Sequence, residues 1–390
     1  MTVPSTESGI ARVPALTGAL RRLSGGSSLA TLIERRANNF DALRLLAALA
    51  VLFGHSFVLA AGHQDIATVD PLSRAMMGLT GFGEAIHEFA VNLFFVISGF
   101  LVTRSLQMRA SLVEFVEARV LRLFPAAMLS AVLTVLLLAP LSTLPAGAYF
   151  ADPATLQYLL RNATLWVVDY DLPGVFADNP YPGAVNGSLW TLPVELRCYL
   201  AVALLGLVAL ARPWLANLVF ATLVVLFAVP EWSSLVTRDP AKWRLFLFFI
   251  AGAAFYVNRR FVPVGWLPLA GLAVLFAATT WAPRLHALAY VALVSYLTLL
   301  VALARPMPWP DRRRFGDVSY GVYLYAFPVQ QALVAQLPGW RDGWAILLPA
   351  TIVTLAFAAL SWFAVERPAL AAKGTLARWR RRRKVRASSA

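Results

Sequence analysis

The chain has 390 residues, 59% of them hydrophobic and only 14% charged, with a mean hydropathy of +0.67. A soluble globular domain carries about 25% charged residues, so these figures exclude one. They point to an all-α polytopic membrane protein, because the apolar segments run to roughly 20 residues instead of alternating over about 10 as barrel strands do. The net charge of +14 sits on Lys and Arg that flank apolar stretches, which reads as topology and attraction to the lipid bilayer, with no nucleic acid as partner. Cys198 is the single cysteine, which excludes an intrachain disulfide and a cysteine-built metal site; we expect no metal and no bound cofactor.

Residues 1–40 form a polar N-terminal segment without a cleavable signal pattern, so the first span is expected to act as an uncleaved anchor. A membrane domain over 41–366 follows, and residues 367–390 make a basic tail. About ten spans are predicted, near 42–62, 88–106, 119–141, 195–211, 214–230, 243–258, 264–281, 285–304, 318–337 and 344–364. One set of connections holds Arg12, Arg21, Arg22, Arg35, Arg36, Arg44, Arg104, Arg109, Arg119, Arg122, Arg212, Arg259, Arg260, Arg305, Arg312, Arg313 and Arg314. The other holds Arg74, Arg161, Arg238, Lys242, Arg244, Arg284 and Arg341. The asymmetry puts both termini in the cytoplasm of a multi-pass plasma-membrane protein, a bacterial inner membrane being expected. The longest outer loop, 142–194, contains an apolar piece from Leu156 to Val168 read as re-entrant or interfacial. No internal repeat of the kind common in transporters is visible.

His55 lies within the first span, where an ionisable side chain is costly and marks a cavity or pathway. Arg44 precedes it by eleven residues, roughly 16 Å along a helix, so His55 is expected about halfway across. A buried neutral imidazole suits a general base, although a polar tie between helices is the alternative. His63 and His87 fall in the first outer loop and His286 at the outer start of the eighth span, where solvated polar residues are expected. Arg119 and Arg122 share a helix face and suit either a phosphate-bearing ligand or a lipid-headgroup anchor. Asn92 to Phe100 places small residues, Ser98 among them, between aromatics, as close helix packing or ligand approach requires. Ser188-Leu189-Trp190-Thr191-Leu192-Pro193-Val194-Glu195 enters the fourth span, which sets Glu195 at the outer boundary as a helix-start charge or a site carboxylate. Tyr320, Tyr323 and Tyr325 open the ninth span as an interfacial belt or as cavity hydroxyls.

In this order the segments resemble the acyltransferase 3 family of membrane O-acyltransferases, over about 41 to 368. The matching pieces are Asp41-Ala42-Leu43-Arg44 leading to His55, Phe94 to Phe100, the Arg119/Arg122 pair, Ser188 to Glu195 with Tyr199, Ser319 to Leu324, and Glu366-Arg367-Pro368. The resemblance implies transfer of an acyl group, commonly acetyl, from cytoplasmic acyl-CoA to a hydroxyl of an extracytoplasmic or lipid-linked carbohydrate acceptor. It makes acyl-CoA (commonly acetyl-CoA) a co-substrate and His55 the catalytic residue. It puts Arg44, Arg119 and Arg122 on the donor side, and Trp190 and Glu195 nearer the acceptor. Glu195 is expected as a second catalytic group, with Ser98 (as an oxyanion donor) and Tyr323 at the substrate. The chain departs from the family in having Asn92 where many members carry Asp, and Ala326 where many carry His. Only about 24 residues follow Glu366, so the fused esterase-like domain of some members is not expected. A transporter or flippase of a lipid-linked or sugar substrate is the alternative reading, since it too would bury polar groups in apolar spans.

Overall fold

The computed structural model describes residues 27–34, 38–62, 70–81, 83–108, 111–208, 212–304, 316–337, 339 and 341–373. His63, Arg12, Arg21, Arg22, Arg35, Arg36, Arg109, Arg305, Arg312, Arg313, Arg314 and the basic tail beyond Lys373 lie outside the described residues. Among those described, the regular structure is helical, without a strand.

A helix occupies each predicted span: α1 (Phe40–Ala61), α2 (Ile86–Gln107), α3 (Leu112–Leu138), α4 (Thr191–Val208), α5 (Pro213–Ala228), α6 (Pro240–Val257), α7 (Trp266–Ala278), α8 (Pro283–Leu303), α9 (Ser319–Gln336) and α10 (Gly343–Ser361). Among the described residues, seven helices are long and apolar enough to cross a membrane. The other three are α5 and α7, which are short, and α9, whose buried length carries Ser319, three tyrosines, Gln330 and Gln331. The boundaries follow local chemistry. Proline occupies the first turn of α5, α6 and α8, where its missing N–H costs nothing. Asp239 caps α6 through the Ala241 amide at 3.0 Å, and Asp342 caps α10 through Trp344 at 3.2 Å. Pro368 does not end the last helix. A π turn over Trp362–Glu366 carries it on to Lys373.

The contacts sort the helix ends into two groups. Asn39 bonds the end of α8 through Val301 (2.9 Å), while Arg122, in the first half of α3, meets Asp317 just before α9. At the opposite end Phe57 meets Trp344 edge to face, Asn179 bonds Gln331, and Arg244 meets Glu84 and Glu88. Central α2 packs on α1, α4, α6 and α8. Its approach to α6 depends on glycine: a Cβ on Gly99 would collide with the Phe249 carbonyl, and one on Gly252 with the Val96 carbonyl. Close backbone approach of this kind is what small residues in membrane helices permit.

The long loop differs from expectation in where it enters the bundle. Pro153–Thr164 is an amphipathic helix against α3, with Tyr158 and Asn162 buried and Leu156 and Leu160 exposed. The segment that dips inward is Asn186 to Trp190. Asn186 donates to the Leu324 carbonyl at 2.9 Å, and the Ser188 carbonyl accepts from Tyr323 at 2.8 Å. Irregular backbone inside a bundle needs such partners.

Candidate active site

Two polar clusters occupy the interior, one toward each end of the helices. The first centres on His55. Its ring lies 4.8 Å from that of His87, centroid to centroid, and 5.2 Å edge-on from Phe327 of α9. His87 is thus not a solvated loop residue: α2 begins at Ile86, two positions earlier than the charge pattern suggests, and carries the imidazole into the bundle. The start of α2 is held firmly. Asp70 accepts from the Ser73 amide (2.8 Å) and hydroxyl (2.5 Å), the Ser73 hydroxyl accepts from the Ile86 amide (2.8 Å), and Glu88 accepts from Ala85 (3.2 Å) and Arg244 (3.0 Å). Gly54 gives His87 its room, because a Cβ there would stand 2.8 Å from the His87 Nδ1. On the next turn Gln330 donates to the Leu52 carbonyl and the Ser56 hydroxyl, both at 2.7 Å, and ties α9 to α1. The Nδ1 atoms of both histidines are buried and make no hydrogen bond among the described residues. Two adjacent, unsatisfied ring nitrogens suit a site that receives a polar group.

The second cluster surrounds a narrow cavity of about 40 Å³, lined among others by Arg44, Arg122, Glu195, Tyr199, Tyr320 and Tyr323. Asp317 organises it. Its carboxylate accepts from Arg122 at 2.8 Å and from the Ser319 hydroxyl at 2.8 Å, with Arg44 at 4.0 Å. Arg119 lies over the Tyr199 ring at 5.6 Å and near Phe115 at 6.0 Å, so the two paired arginines reach the same neighbourhood by different routes. Glu195 accepts from Ser98 at 3.1 Å and from the Tyr199 hydroxyl. Tyr323 shares a 2.6 Å hydrogen bond with Thr191.

The helix ladder gives the depth of each group. His87 and Ser98 are eleven residues apart on α2, about 16 Å at 1.5 Å per residue. Since His87 touches His55 and Ser98 touches Glu195, Glu195 stands about that far from His55, among the arginines. This corrects the expectation of Glu195 at the outer boundary: the inward dip of Asn186 to Trp190 lowers the start of α4 into the bundle. Ser98 is likewise removed from His55, and its hydroxyl is engaged by Glu195, so it does not stand as an oxyanion donor beside the imidazole. Trp190 packs half-buried on the main core and does not line the cavity. His55 itself lies six residues from the end of α1, on the long-loop side of the helix midpoint. His286 stacks on Phe276 at 4.3 Å and bonds the Phe276 carbonyl at 3.0 Å, so it too is packed rather than solvated. The two clusters approach one another, because Val91 of the cavity wall is one turn from His87, and Tyr323 one turn from Phe327.

Two carboxylates escaped the sequence reading. Asp317 hides behind the basic stretch before α9. Glu84 lies just ahead of α2 and is 4% exposed. It accepts from Asn92 at 2.5 Å and from the Tyr290 hydroxyl, with Arg244 at 3.4 Å. Burial pushes its pKa above the ordinary value, opposed by Arg244 and by the Tyr290 and Asn92 hydrogen bonds. Asn92 therefore acts as a donor to a carboxylate, which an Asp at that position could not do while ionised.

The family model described as "Acyltransferase domain" matches residues 38–363. The chain is 30% identical over 376 residues to "Nodulation protein 10" of Rhizobium leguminosarum bv. viciae, covering 87% of this chain and 95% of that one. It is 28% identical over 343 residues to "O-acetyl transferase" of Shigella phage Sf6, covering 85% of this chain and 96% of the relative. No solved structure matches it. With its apolar helices and a family match over most of its length, the chain belongs to the acyltransferase 3 family and is a multi-pass membrane acyltransferase.

Proposed function

We propose that this protein moves an acyl group, acetyl being the first choice, from acyl-CoA at the arginine end to a carbohydrate hydroxyl at the histidine end. The observation that carries the reading is the cavity that starts at Arg44 and Arg122 and stops one helical turn short of His55 and His87. The O-acetyl transferase relative supports the choice of acetyl. In this reading all ten helices cross the bilayer, both termini face the cytoplasm, and the membrane is a bacterial inner membrane.

Arg44, Arg119 and Arg122 hold the CoA phosphates by charge-assisted hydrogen bonds. At about 40 Å³ the cavity admits water but not a pantetheine arm, so entry of the arm parts Tyr323 from Phe94, whose rings stand 5.8 Å apart. Glu195, fixed by Ser98 and Tyr199, frames this passage. The thioester then stands beside His55. The imidazole takes the proton of the acceptor hydroxyl, the oxygen attacks the thioester carbonyl, and the proton passes on to the departing CoA thiolate. His87 and Phe327 hold the ring in position. A covalent acyl-histidine route uses the same geometry. The test is a transfer assay in sealed, inverted membrane vesicles given radiolabelled acetyl-CoA on the cytoplasmic face. Label appears on glycan within the vesicle if the reading is right. A flippase instead moves unlabelled glycan and leaves acetyl-CoA intact.

A further inference from the structure

The largest cavity described lies beside the histidine pair and is not lined by either histidine. It measures about 560 Å³, within the ~300–1,000 Å³ range of small-molecule sites. It opens between the starts of α2, α6 and α8, at the long-loop end. Arg238, Arg244 and Arg284 line it, against one lining carboxylate, Glu84. Arg244 is matched, by Glu84 at 3.4 Å and Glu88 at 3.0 Å. Arg238 and Arg284 have no carboxylate within 4.0 Å among the described residues. Among the described residues Arg284 bonds only the Phe227 carbonyl, and it lies over the Phe227 ring at 5.4 Å. It also occupies the first turn of α8, where the helix dipole is itself positive and a cation is disfavoured. Outer-facing segments of membrane proteins are normally poor in Arg and Lys, and here such residues gather at one cavity. Ser233, Ser234 and Thr237 add hydroxyls to the wall, and the rest of it is mostly apolar and aromatic, with Trp243, Phe248 and Val291.

We propose that this cavity binds the anionic group of the acceptor, a saccharide that carries a phosphate or carboxylate, with Arg238 and Arg284 as its receptors. The inference rests on the acyl-transfer reading only for the word acceptor. Geometry links the two sites: Glu84 of the cavity wall is three residues from His87, whose ring faces His55. A sugar anchored by its charge at the arginines would lie with its ring along the aromatic wall and a hydroxyl toward the imidazoles.

The test measures binding without CoA, on full-length protein in neutral detergent, as the shift in thermal unfolding midpoint with ligand. Probes are glucose 1-phosphate, glucuronate, glucose and glycerol 3-phosphate. The first two are expected to stabilise wild type and His55→Ala alike, with glucose at least tenfold weaker. Arg238→Gln and Arg284→Gln should each weaken glucose 1-phosphate about tenfold or more. Arg238 is exposed and makes no ion pair among the described residues, so its variant keeps the test valid if Arg284→Gln fails to fold. Equal binding of glucose, unchanged binding in both Arg variants, or glycerol 3-phosphate binding as tightly as the sugar phosphate (a lipid-headgroup site) overturns the proposal. Loss of transfer in His55→Ala with binding intact separates this inference from the chemistry it serves.

Discussion

Removing Asp317 should unbalance the arginine end of the protein. Its carboxylate lies 2.8 Å from Arg122 and 4.0 Å from Arg44, and the side chains of the closer pair are only 2% and 10% exposed. At an effective dielectric of about 20, two charges some 4 Å apart attract by about 4 kcal/mol. Breaking a buried pair from one side costs about 3–5 kcal/mol, because the other charge is left without a partner. Asp317→Ala is therefore expected to lose that much stability. Arg122→Met combined with Asp317→Leu removes both charges and should recover all but ~1 kcal/mol of it. Chemical unfolding in micelles, followed by tryptophan fluorescence, measures each corner of the cycle. Free CoA sharpens the test. If its phosphates dock on Arg122 and Arg44, they supply the missing negative charge, and saturating CoA should stabilise Asp317→Ala more than wild type. Equal losses in the single and double variants, or a CoA effect that is no larger in Asp317→Ala, would refute the reasoning.

Three further outcomes are expected. His87→Asn should lower turnover about ten- to a hundredfold without altering the acetyl-CoA KM, since misplacing a reacting group by about 1 Å costs up to ~10²-fold; an unchanged kcat would remove His87 from the site. Gly54→Ala should reproduce that defect with both imidazoles present, because the added methyl meets the His87 Nδ1 at 2.8 Å and Ile86 Cγ2 at 3.0 Å; paired steady-state kinetics of the two variants check it. Glu84 has a folded-state pKa raised by burial, so it binds protons more tightly folded than unfolded. Its stabilising effect is complete below the ordinary carboxylate range and is lost as pH rises through the raised value. Unfolding experiments across mildly acid pH should show this fall in wild type and its absence in Glu84→Gln.

The all-helical class, the helix positions and the presence of His55, Arg44 and Arg122 on apolar helices were legible in sequence because each depends on local signals: apolar length, a lone ionisable group in a span, and paired basic residues. What was not legible depends on how far a helix runs or a loop sinks. The second span is read from residue 88, which leaves His87 in the preceding loop. In the fold Glu84 and Glu88 are held by Arg244, and the helix begins early enough to bring His87 to His55. Glu195 follows a proline that looks like a surface helix start. Its depth is set by the dip of Asn186 to Trp190, which is held by Leu324 and Tyr323 more than 130 residues away in sequence. Asp317 carries no motif of its own, and its role emerges only where α1, α3 and α9 converge.

The most direct measurement is a single-turnover assay on His55→Ala, with radiolabelled acetyl-CoA and the protein level in the membrane matched to wild type. General acid–base catalysis is worth about 10²–10⁴-fold, so transfer to glycan should fall by at least a hundredfold while CoA binding at the arginine end persists. A variant that still acetylates at near the wild-type rate would contradict the assignment of the chemistry to this imidazole.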